Sequence, residues 1–209
     1  MVPKNLAVFA SGRGSNFQAI LKNIISGRIP ASVKLCITNN PAAGVIEIAQ
    51  QHDIAVRVIN PKSFPDAGAF NDAILKEVTE FRIDCIILAG YLKLIGRQIV
   101  EQYENRIINI HPALLPAFGG KGMYGHHVHE AIFESGVRIS GATVHLVNSE
   151  YDSGPIVLQK SVDISDVSSP GEIAERVLKI EHEIFPEAVK LLVEDKLIVK
   201  GKRVEICAQ

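Results

Sequence analysis

The chain has 209 residues, a formal net charge of −1, and a composition of 47% hydrophobic and 22% charged residues. This length suits one well-buried domain rather than two. The near-neutral charge gives no electrostatic reason to expect nucleic acid or an anionic membrane as a partner, and no stretch approaches the apolar length of a membrane span. We therefore expect a cytoplasmic protein that acts on small molecules.

Apolar runs alternate with amphipathic stretches through the first half of the chain. The runs predict strands at residues 6–10, 33–38, 56–59, 84–89 and 107–110, and the stretches predict helices at residues 16–25, 44–51, 67–81 and 97–103. Strands that are apolar on both faces and joined by helices are typical of a doubly wound, mostly parallel sheet, Rossmann-like in its connections. In such α/β folds ligands bind at the carboxyl ends of the strands.

The pattern changes beyond about residue 138. Residues 141–147 and 156–162 predict two longer strands, and residues 170–195 predict a closing helix that is interrupted near Pro186. This favours a mixed or antiparallel carboxy-terminal extension of the sheet. The three cysteines, Cys36, Cys85 and Cys207, lie in apolar or terminal surroundings without CxxC spacing, so we expect buried reduced thiols.

A glycine-containing segment, residues 11–16 (SGRGSN), separates the first predicted strand from the first predicted helix. Glycines let the backbone turn and expose amide groups at the positive end of a helix, which suits a phosphate. The alternative is a tight turn with Ser15 or Asn16 as the helix cap. Phe17 stands where a dinucleotide fingerprint has Gly or Ala, and no acidic residue ends the second strand, so a monophosphate is favoured over NAD.

Asn109 and His111 are two residues apart at the end of an apolar run, so both side chains project from the same side of a strand. If Asp152 came close, the three would offer a hydrogen-bond donor, a titratable group and a charge that acts on it, which suits carbonyl chemistry. The alternatives are an asparagine at a turn, a histidine satisfied by backbone groups near Pro112, and an Asx turn at Asp152.

The run from residue 119 to residue 129 is rich in glycine and holds three imidazoles, those of His126, His127 and His129. A stable zinc site needs further ligands, so the favoured interpretation is a mobile loop that leads into a helix, without a metal. Leu115-Pro116 is a candidate for a rigid cis turn. By default Lys93, and Glu181 with its neighbour His182, are solvated charges on otherwise apolar elements.

Four segments resemble the glycinamide ribonucleotide formyltransferase family, and the likeness runs nearly end to end. They are residues 10–16 (ASGRGSN), 88–93 (LAGYLK), 109–116 (NIHPALLP) and 151–156 (YDSGPI). The Asn-x-His-Pro motif with a later Asp is common to enzymes that use 10-formyltetrahydrofolate, and the Gly-Ser-Asn loop narrows the likeness to the purine enzyme. The resemblance implies one formyltransferase-like domain over residues 1–209, with a phosphate-binding half (1–105) and a folate-binding and catalytic half (106–209).

The resemblance also implies a reaction, the transfer of a formyl group from 10-formyltetrahydrofolate to the amine of glycinamide ribonucleotide in purine synthesis, without a metal. Asn109 would hydrogen-bond the developing oxyanion. His111, kept cationic by Asp152, would stabilise the same charge and assist proton transfer to the departing folate nitrogen.

The same resemblance assigns the binding residues. The ribose would be held by the carboxylate of Glu181. The phosphate would be held by the loop and the first turn of the helix, which comprise Gly12, Gly14, Ser15, Asn16 and Phe17. The pterin slot would be lined by residues 92–95 and 145–152, with folate contacts from Leu92, Lys93, Leu94, Ile95, Asn109, Val147 and Asp152.

Two departures from the family bear on the site. The link after Leu-Leu-Pro is lengthened to residues 117–127, which predicts a mobile lid whose order depends on ligand. No basic residue lies between Phe64 and Phe70, where some relatives carry one for the folate tail, so Lys93 or Lys121 is the candidate cation.

Other functions remain open at this point. A formyltetrahydrofolate deformylase uses the same three side chains on water, but it lacks the phosphate loop. A methionyl-tRNA formyltransferase needs basic surface, which the net charge of −1 disfavours. A folate- or nucleotide-binding protein without catalysis would share the fold. We expect a monomer or homodimer.

Overall fold

The computed structural model describes residues 3–207 of the chain. Within that range the strands are β1 (Lys4–Phe9), β2 (Ala31–Thr38), β3 (Ala55–Val58), β4 (Cys85–Leu88), β5 (Ile107–His111), β6 (Ile139–Leu146), β7 (Ile156–Asp163), β8 (Leu197–Lys200) and β9 (Arg203–Ile206). The α-helices are α1 (Ser15–Ile25), α2 (Val45–Gln51), α3 (Ala67–Glu80), α4 (Arg97–Gln102), α5 (His126–Ser135) and α6 (Pro170–Val193), and a short 3-10 helix covers Pro61–Ser63.

All the described strands join one sheet in the order β3-β2-β1-β4-β5-β6-β7-β9-β8. The first five in this order pair in parallel, because α1 to α4 supply the crossovers that parallel neighbours need. From β5 onward the direction changes, since β6 pairs antiparallel with β5 and β7 antiparallel with β6. The predicted α/β architecture, a mostly parallel sheet with a mixed extension, is confirmed. Its division into two functional halves stays a prediction.

The sheet separates two hydrophobic cores, and β1 contributes to both. Leu6 and Val8 belong to the core that includes residues of α1, α2, α5 and α6, whereas Ala7 and Phe9 belong to the core with residues of α3 and α4. This alternation follows from the two-residue period of a strand. It explains why the predicted strands read as continuous apolar runs instead of alternating ones.

The predicted interruption of the closing helix is wrong. α6 runs without a break through Pro186. Proline lacks an N–H and normally kinks or ends a helix, but Pro186 and its neighbour Phe185 are buried in the core face of α6. Packing along this face keeps the helix continuous despite the missing backbone hydrogen bond. Among residues 3–207, no helix combines the length and the apolar character needed to cross a membrane.

The hairpin of β8 and β9 was not predicted from the sequence. Its signal is the short apolar run of Leu197, Ile198 and Val199, followed by Gly201, which has a φ of 61° and makes the turn. Leu197, Val199 and Val204 pack against the first core. Cys207 follows the hairpin and is exposed, so its predicted burial is wrong.

The other two cysteines confirm the prediction of buried thiols. Cys36 lies in β2 and Cys85 in β4, and neither forms a disulfide. Burial raises the pKa of each thiol to about 12. Both groups therefore stay protonated and unreactive at neutral pH.

We expect Gly154→Ala to destabilise the fold, because a Cβ at this position would lie 1.8 Å from the backbone oxygen of Leu146. That oxygen belongs to β6 and cannot move without disturbing the sheet, so the free energy of unfolding should fall by about 1–3 kcal/mol. Gly171→Ala is the matched control, since the nearest atom to its Cβ would be 3.7 Å away. Urea denaturation measures both variants, and equal midpoints would contradict the expectation.

Candidate active site

The catalytic candidates lie where the sheet changes direction. β5 pairs with β6 so that Asn109 stands opposite His145 and His111 opposite Thr143. Residues directly opposite in an antiparallel pair share a face of the sheet, and so do residues two apart on one strand. The two predicted side chains and two from β6 therefore occupy one face, at the carboxyl end of β5.

His111 is buried, with 3% of its surface exposed. Its Nε2 lies 2.8 Å from the backbone oxygen of Phe118, and its Nδ1 lies 3.5 Å from Oδ2 of Asp152. Since a carbonyl can only accept, Nε2 carries the proton in this arrangement. Nδ1 then faces the carboxylate with a lone pair, and its protonation would turn the 3.5 Å contact into an ion pair.

Asp152 joins the two histidines to the loop that follows β5. Its Oδ2 accepts a hydrogen bond of 2.9 Å from the N–H of Gly120, and its Oδ1 lies 3.6 Å from Nε2 of His145. Burial by itself raises the pKa of this carboxyl group, but His145, His111 and the Gly120 N–H together lower it below the usual value. Asp152 is therefore ionised at neutral pH.

The expectation that Asp152 keeps His111 cationic stays a prediction, and burial of the imidazole opposes it. Burial lowers the pKa of His111, and the opposing effects of the Asp152 charge and the Phe118 carbonyl do not overcome it. Burial costs the imidazolium more hydration free energy than its attraction to a carboxylate 3.5 Å away returns. The neutral form of His111 is therefore favoured at neutral pH.

His145 contacts the catalytic candidates directly. From the sequence it was expected only as part of the segment that lines the pterin slot. Its Nδ1 lies 2.8 Å from the backbone oxygen of Leu146, so Nδ1 carries the proton, and its Nε2 can accept from Nδ2 of Asn109 at 3.1 Å. This contact occupies one amide hydrogen of Asn109 and leaves the other free. The available signal was its spacing from Thr143, which repeats the spacing of Asn109 and His111.

Thr143 and Gln159 hold the turn that follows His111. The Thr143 hydroxyl donates to the oxygen of Ala113 at 2.6 Å and accepts from the N–H of Leu115 at 3.1 Å. Gln159 stands beside Thr143 on β7, and its side-chain amide donates to the oxygen of Leu115 at 2.9 Å. These bonds lie next to the Leu115-Pro116 peptide, which is cis as the sequence suggested.

The predicted phosphate loop lies at the amino terminus of α1. Gly14 precedes the helix with a φ of 84°, and a Cβ there would come within 3.0 Å of Val45. No side chain caps the helix, so the alternative of Ser15 or Asn16 as the cap is wrong. The uncapped N–H groups of the first turn are free to bind an anion. Phe17 is fully buried, so only its backbone could take part.

Hydrogen bonds connect this loop to the loop after β4. The N–H of Ser11 donates to the oxygen of Gly90 at 3.0 Å, and the Ser11 hydroxyl accepts from the N–H of Leu92 at 2.9 Å. The same hydroxyl donates to Asn39 at the end of β2. The carboxyl ends of β1, β2 and β4 are thus tied together, beside the end of β5.

Glu181 also reaches this edge of the sheet. The residue lies on α6, is 8% exposed, and accepts a hydrogen bond of 2.7 Å from Nδ2 of Asn16. Burial raises the pKa of Glu181 to about 7, although the bond from Asn16 opposes that shift. The default interpretation of a solvated charge is wrong here, because α6 packs against α1 and encloses the carboxyl group.

The residues expected to bind folate have different environments. Leu92 and Leu94 are exposed apolar side chains, and Lys93 between them is exposed, as expected for a solvated charge. Val147 is half-buried and continues β6, with its N–H bonded to the oxygen of Ile107. Ile95, by contrast, is packed in the second core, so its role as a folate contact stays a prediction.

Comparison with known proteins identifies the family of the chain. Residues 4–189 match the family model described as formyl transferase. The chain is 40% identical over 189 residues to the phosphoribosylglycinamide formyltransferase of Bacillus subtilis, covering 90% of this chain and 94% of that protein. The chain belongs to the phosphoribosylglycinamide formyltransferase family.

Two further members of this formyltransferase family show the extent of the likeness. The chloroplastic enzyme of Arabidopsis thaliana is 44% identical over 195 residues, which are 93% of this chain and 67% of that protein. The crystal structure of glycinamide ribonucleotide transformylase 1 from Symbiobacterium toebii is 35% identical and superposes with a TM-score of 0.93, covering 99% of this chain and 95% of that one. The predicted formyltransferase-like fold is confirmed.

We expect Glu181 to make a contribution to stability that falls as the pH rises from 4.5 to about 7, because its carboxyl group ionises near 4.5 when unfolded and near 7 when folded. Between these values the carboxyl group binds more protons in the folded state, so the stability that it contributes below 4.5 is lost as the pH rises. Glu181→Gln should remove this loss and raise the unfolding free energy at pH 8 by about 3 kcal/mol.

Urea denaturation from pH 4.5 to pH 8 measures this effect. Glu187→Gln is the matched control, since Glu187 is exposed on the same helix. If Glu181→Gln shows the same pH dependence as the wild type, the carboxyl group is not buried in its protonated form.

Proposed function

We propose that the protein transfers the formyl group of 10-formyltetrahydrofolate to the amine of glycinamide ribonucleotide in purine biosynthesis. One observation carries the proposal: Asn109, His111 and Asp152 meet on one face of the sheet, at the edge where the uncapped amino terminus of α1 lies. The family membership supports the same reaction. The products are formylglycinamide ribonucleotide and tetrahydrofolate.

Asn109 is the proposed oxyanion donor. The amine attacks the formyl carbon, and the carbonyl oxygen gains negative charge in the tetrahedral intermediate. One amide hydrogen of Asn109 is held by His145, so the amide is oriented before the substrate arrives, and the second hydrogen can donate to that oxygen. Such a preorganised donor stabilises the transition state without a cost for reorientation.

His111 and Asp152 are the proposed proton-transfer pair. Neutral His111 can take the proton that the attacking amine loses, and it can return a proton to the folate nitrogen when the carbon–nitrogen bond breaks. The imidazolium formed in between is stabilised by Asp152, whose carboxylate lies 3.5 Å from Nδ1. In the observed arrangement Nε2 carries the proton and donates it to the Phe118 carbonyl. For this cycle the loop must release Nε2, and the proton must lie on Nδ1 beside Asp152, so that the Nε2 lone pair can accept the amine proton.

The phosphate and ribose of the substrate would bind beside α1. The backbone N–H groups of the first turn suit the phosphate, with Gly12 and Gly14 keeping the approach open to Ser15, Asn16 and Phe17. Glu181 would accept hydrogen bonds from ribose hydroxyls, and its contact with Asn16 links the two subsites. The ribonucleotide would thus lie along one side of the catalytic groups.

The folate would lie on the other side, against Leu92, Leu94 and Val147, with Lys93 or Lys121 near its glutamate tail. We propose no catalytic metal, because the side chains at the site supply both charge stabilisation and proton transfer. A cytoplasmic location and a monomeric or dimeric state without nucleic acid or membrane partners also remain proposals.

The substrate assignment predicts that tetrahydrofolate appears only when glycinamide ribonucleotide is supplied. The N–H groups of α1 would place the amine against the formyl carbon, where proximity accelerates attack. The measurement is the absorbance of the folate product with and without the ribonucleotide, and glycinamide without the ribose phosphate is the control. Equal rates with and without glycinamide ribonucleotide would identify a deformylase instead.

The catalytic assignment predicts that Asn109→Ala lowers kcat roughly a hundredfold or more, since it removes an oxyanion contact. His111→Ala and Asp152→Asn should also lower kcat, and Asp152→Asn should change the pH profile because it removes the carboxylate beside His111. The single losses should not add in the double variants, because the three groups act on one transition state.

Steady-state kinetics on variants that circular dichroism shows to be folded provides the test. His52→Ala is the control for loss of an imidazole, as His52 is exposed at the end of α2. If folded Asn109→Ala or His111→Ala keeps a near wild-type kcat, these side chains do not catalyse the reaction.

A further inference from the structure

Three possible metal ligands come together at the start of α5, and the proposed reaction uses none of them. Among the described residues, His126, His127 and Glu130 each present one ligand atom within 4.8 Å of the other two. All three side chains are exposed. They occupy the first, second and fifth positions of the helix, so the carboxylate lies one turn after the imidazoles.

The spacing of these atoms fits one ion. His127 Nδ1 and Glu130 Oε2 are 3.3 Å apart, and two ligands held at about 2.0–2.2 Å by a tetrahedral zinc ion are separated by about that distance. The rings of His126 and His127 have centroids 4.0 Å apart, and Tyr124 packs edge-on against His127 at 5.4 Å. The ligand atom of His126 lies within 4.8 Å of the other two ligand atoms.

The donor set determines which ion would bind. Two imidazoles and one carboxylate suit zinc, nickel and copper, whereas magnesium and calcium require oxygen ligands. The amino terminus of a helix is electropositive and opposes a cation, and the Glu130 carboxylate offsets this effect. Three protein ligands leave at least one position for water, which is typical of an open site.

His129 is separate from this group. It is half-buried, its Nδ1 is buried without a hydrogen-bond partner, and burial lowers its pKa to about 4, with the electrostatic effect of His111 as a second cause. The three imidazoles that the sequence places together are therefore divided by the helix. The side chains of His126 and His127 face solvent with Glu130, and the side chain of His129 is half-buried.

We infer that His126, His127 and Glu130 form a binding site for a divalent transition-metal ion of the zinc type. The site lies at the end of the loop whose Phe118 and Gly120 backbone groups contact His111 and Asp152. It is distinct from the proposed catalytic groups, and the ion takes no part in formyl transfer. Because neutral imidazoles are required, binding weakens at acid pH.

Isothermal titration of untagged protein with zinc chloride tests this inference, in a Cys207→Ser background that removes the exposed thiol. We expect one equivalent of zinc to bind, and we expect His126→Ala and Glu130→Gln each to weaken it at least tenfold. His52→Ala, an exposed histidine on α2, should leave the affinity unchanged. Magnesium chloride should give no binding heat.

Several results would overturn the inference. The first is zinc affinity unchanged in His126→Ala or Glu130→Gln, and the second is an equal loss in His52→Ala. Zinc that still binds when all three ligands are replaced would be held elsewhere, for example by His111, His145 and Asp152. Because the three ligands are exposed, these variants should stay folded, and circular dichroism checks this.

Discussion

The arrangement of the site depends on the pairing of β5 with a parallel strand on one side and an antiparallel strand on the other. The parallel side brings the carboxyl ends of β1, β4 and β5 to one edge, where the loops meet. The antiparallel side places His145 and Thr143 of β6 directly opposite Asn109 and His111. A shift of β6 by one residue in this register would turn His145 and Thr143 to the face opposite Asn109 and His111.

Burial controls the charges that this pairing brings together. Burial lowers the pKa of His111 and raises that of Glu181 to about 7, because enclosure disfavours an unpaired charge. Asp152 keeps its charge because two histidines and a backbone N–H face it. The site therefore holds one buried anion whose field acts on any proton that His111 receives.

The loop after β5 connects this chemistry to the rest of the fold. Thr143 and Gln159 fix its beginning by hydrogen bonds to backbone atoms of residues 113 and 115. Its middle contacts His111 and Asp152 through the backbone of Phe118 and Gly120, and its end leads into α5. One segment thus joins the turn beside β5, the catalytic candidates and the proposed metal site.

Local sequence determined the strands and helices of the doubly wound half, the glycine turn that leads into α1, and the position of Asn109 and His111 on one face. Those features follow from hydrophobic periodicity and from residue types that lie close together in the chain. Tertiary structure alone decided the continuity of α6 through Pro186, the contact of Glu181 with Asn16, and the role of His145, because each depends on packing between distant segments. It also decided that the pKa of His111 is lowered, since the cost of burying a charge depends on the surrounding protein and not on the adjacent residues.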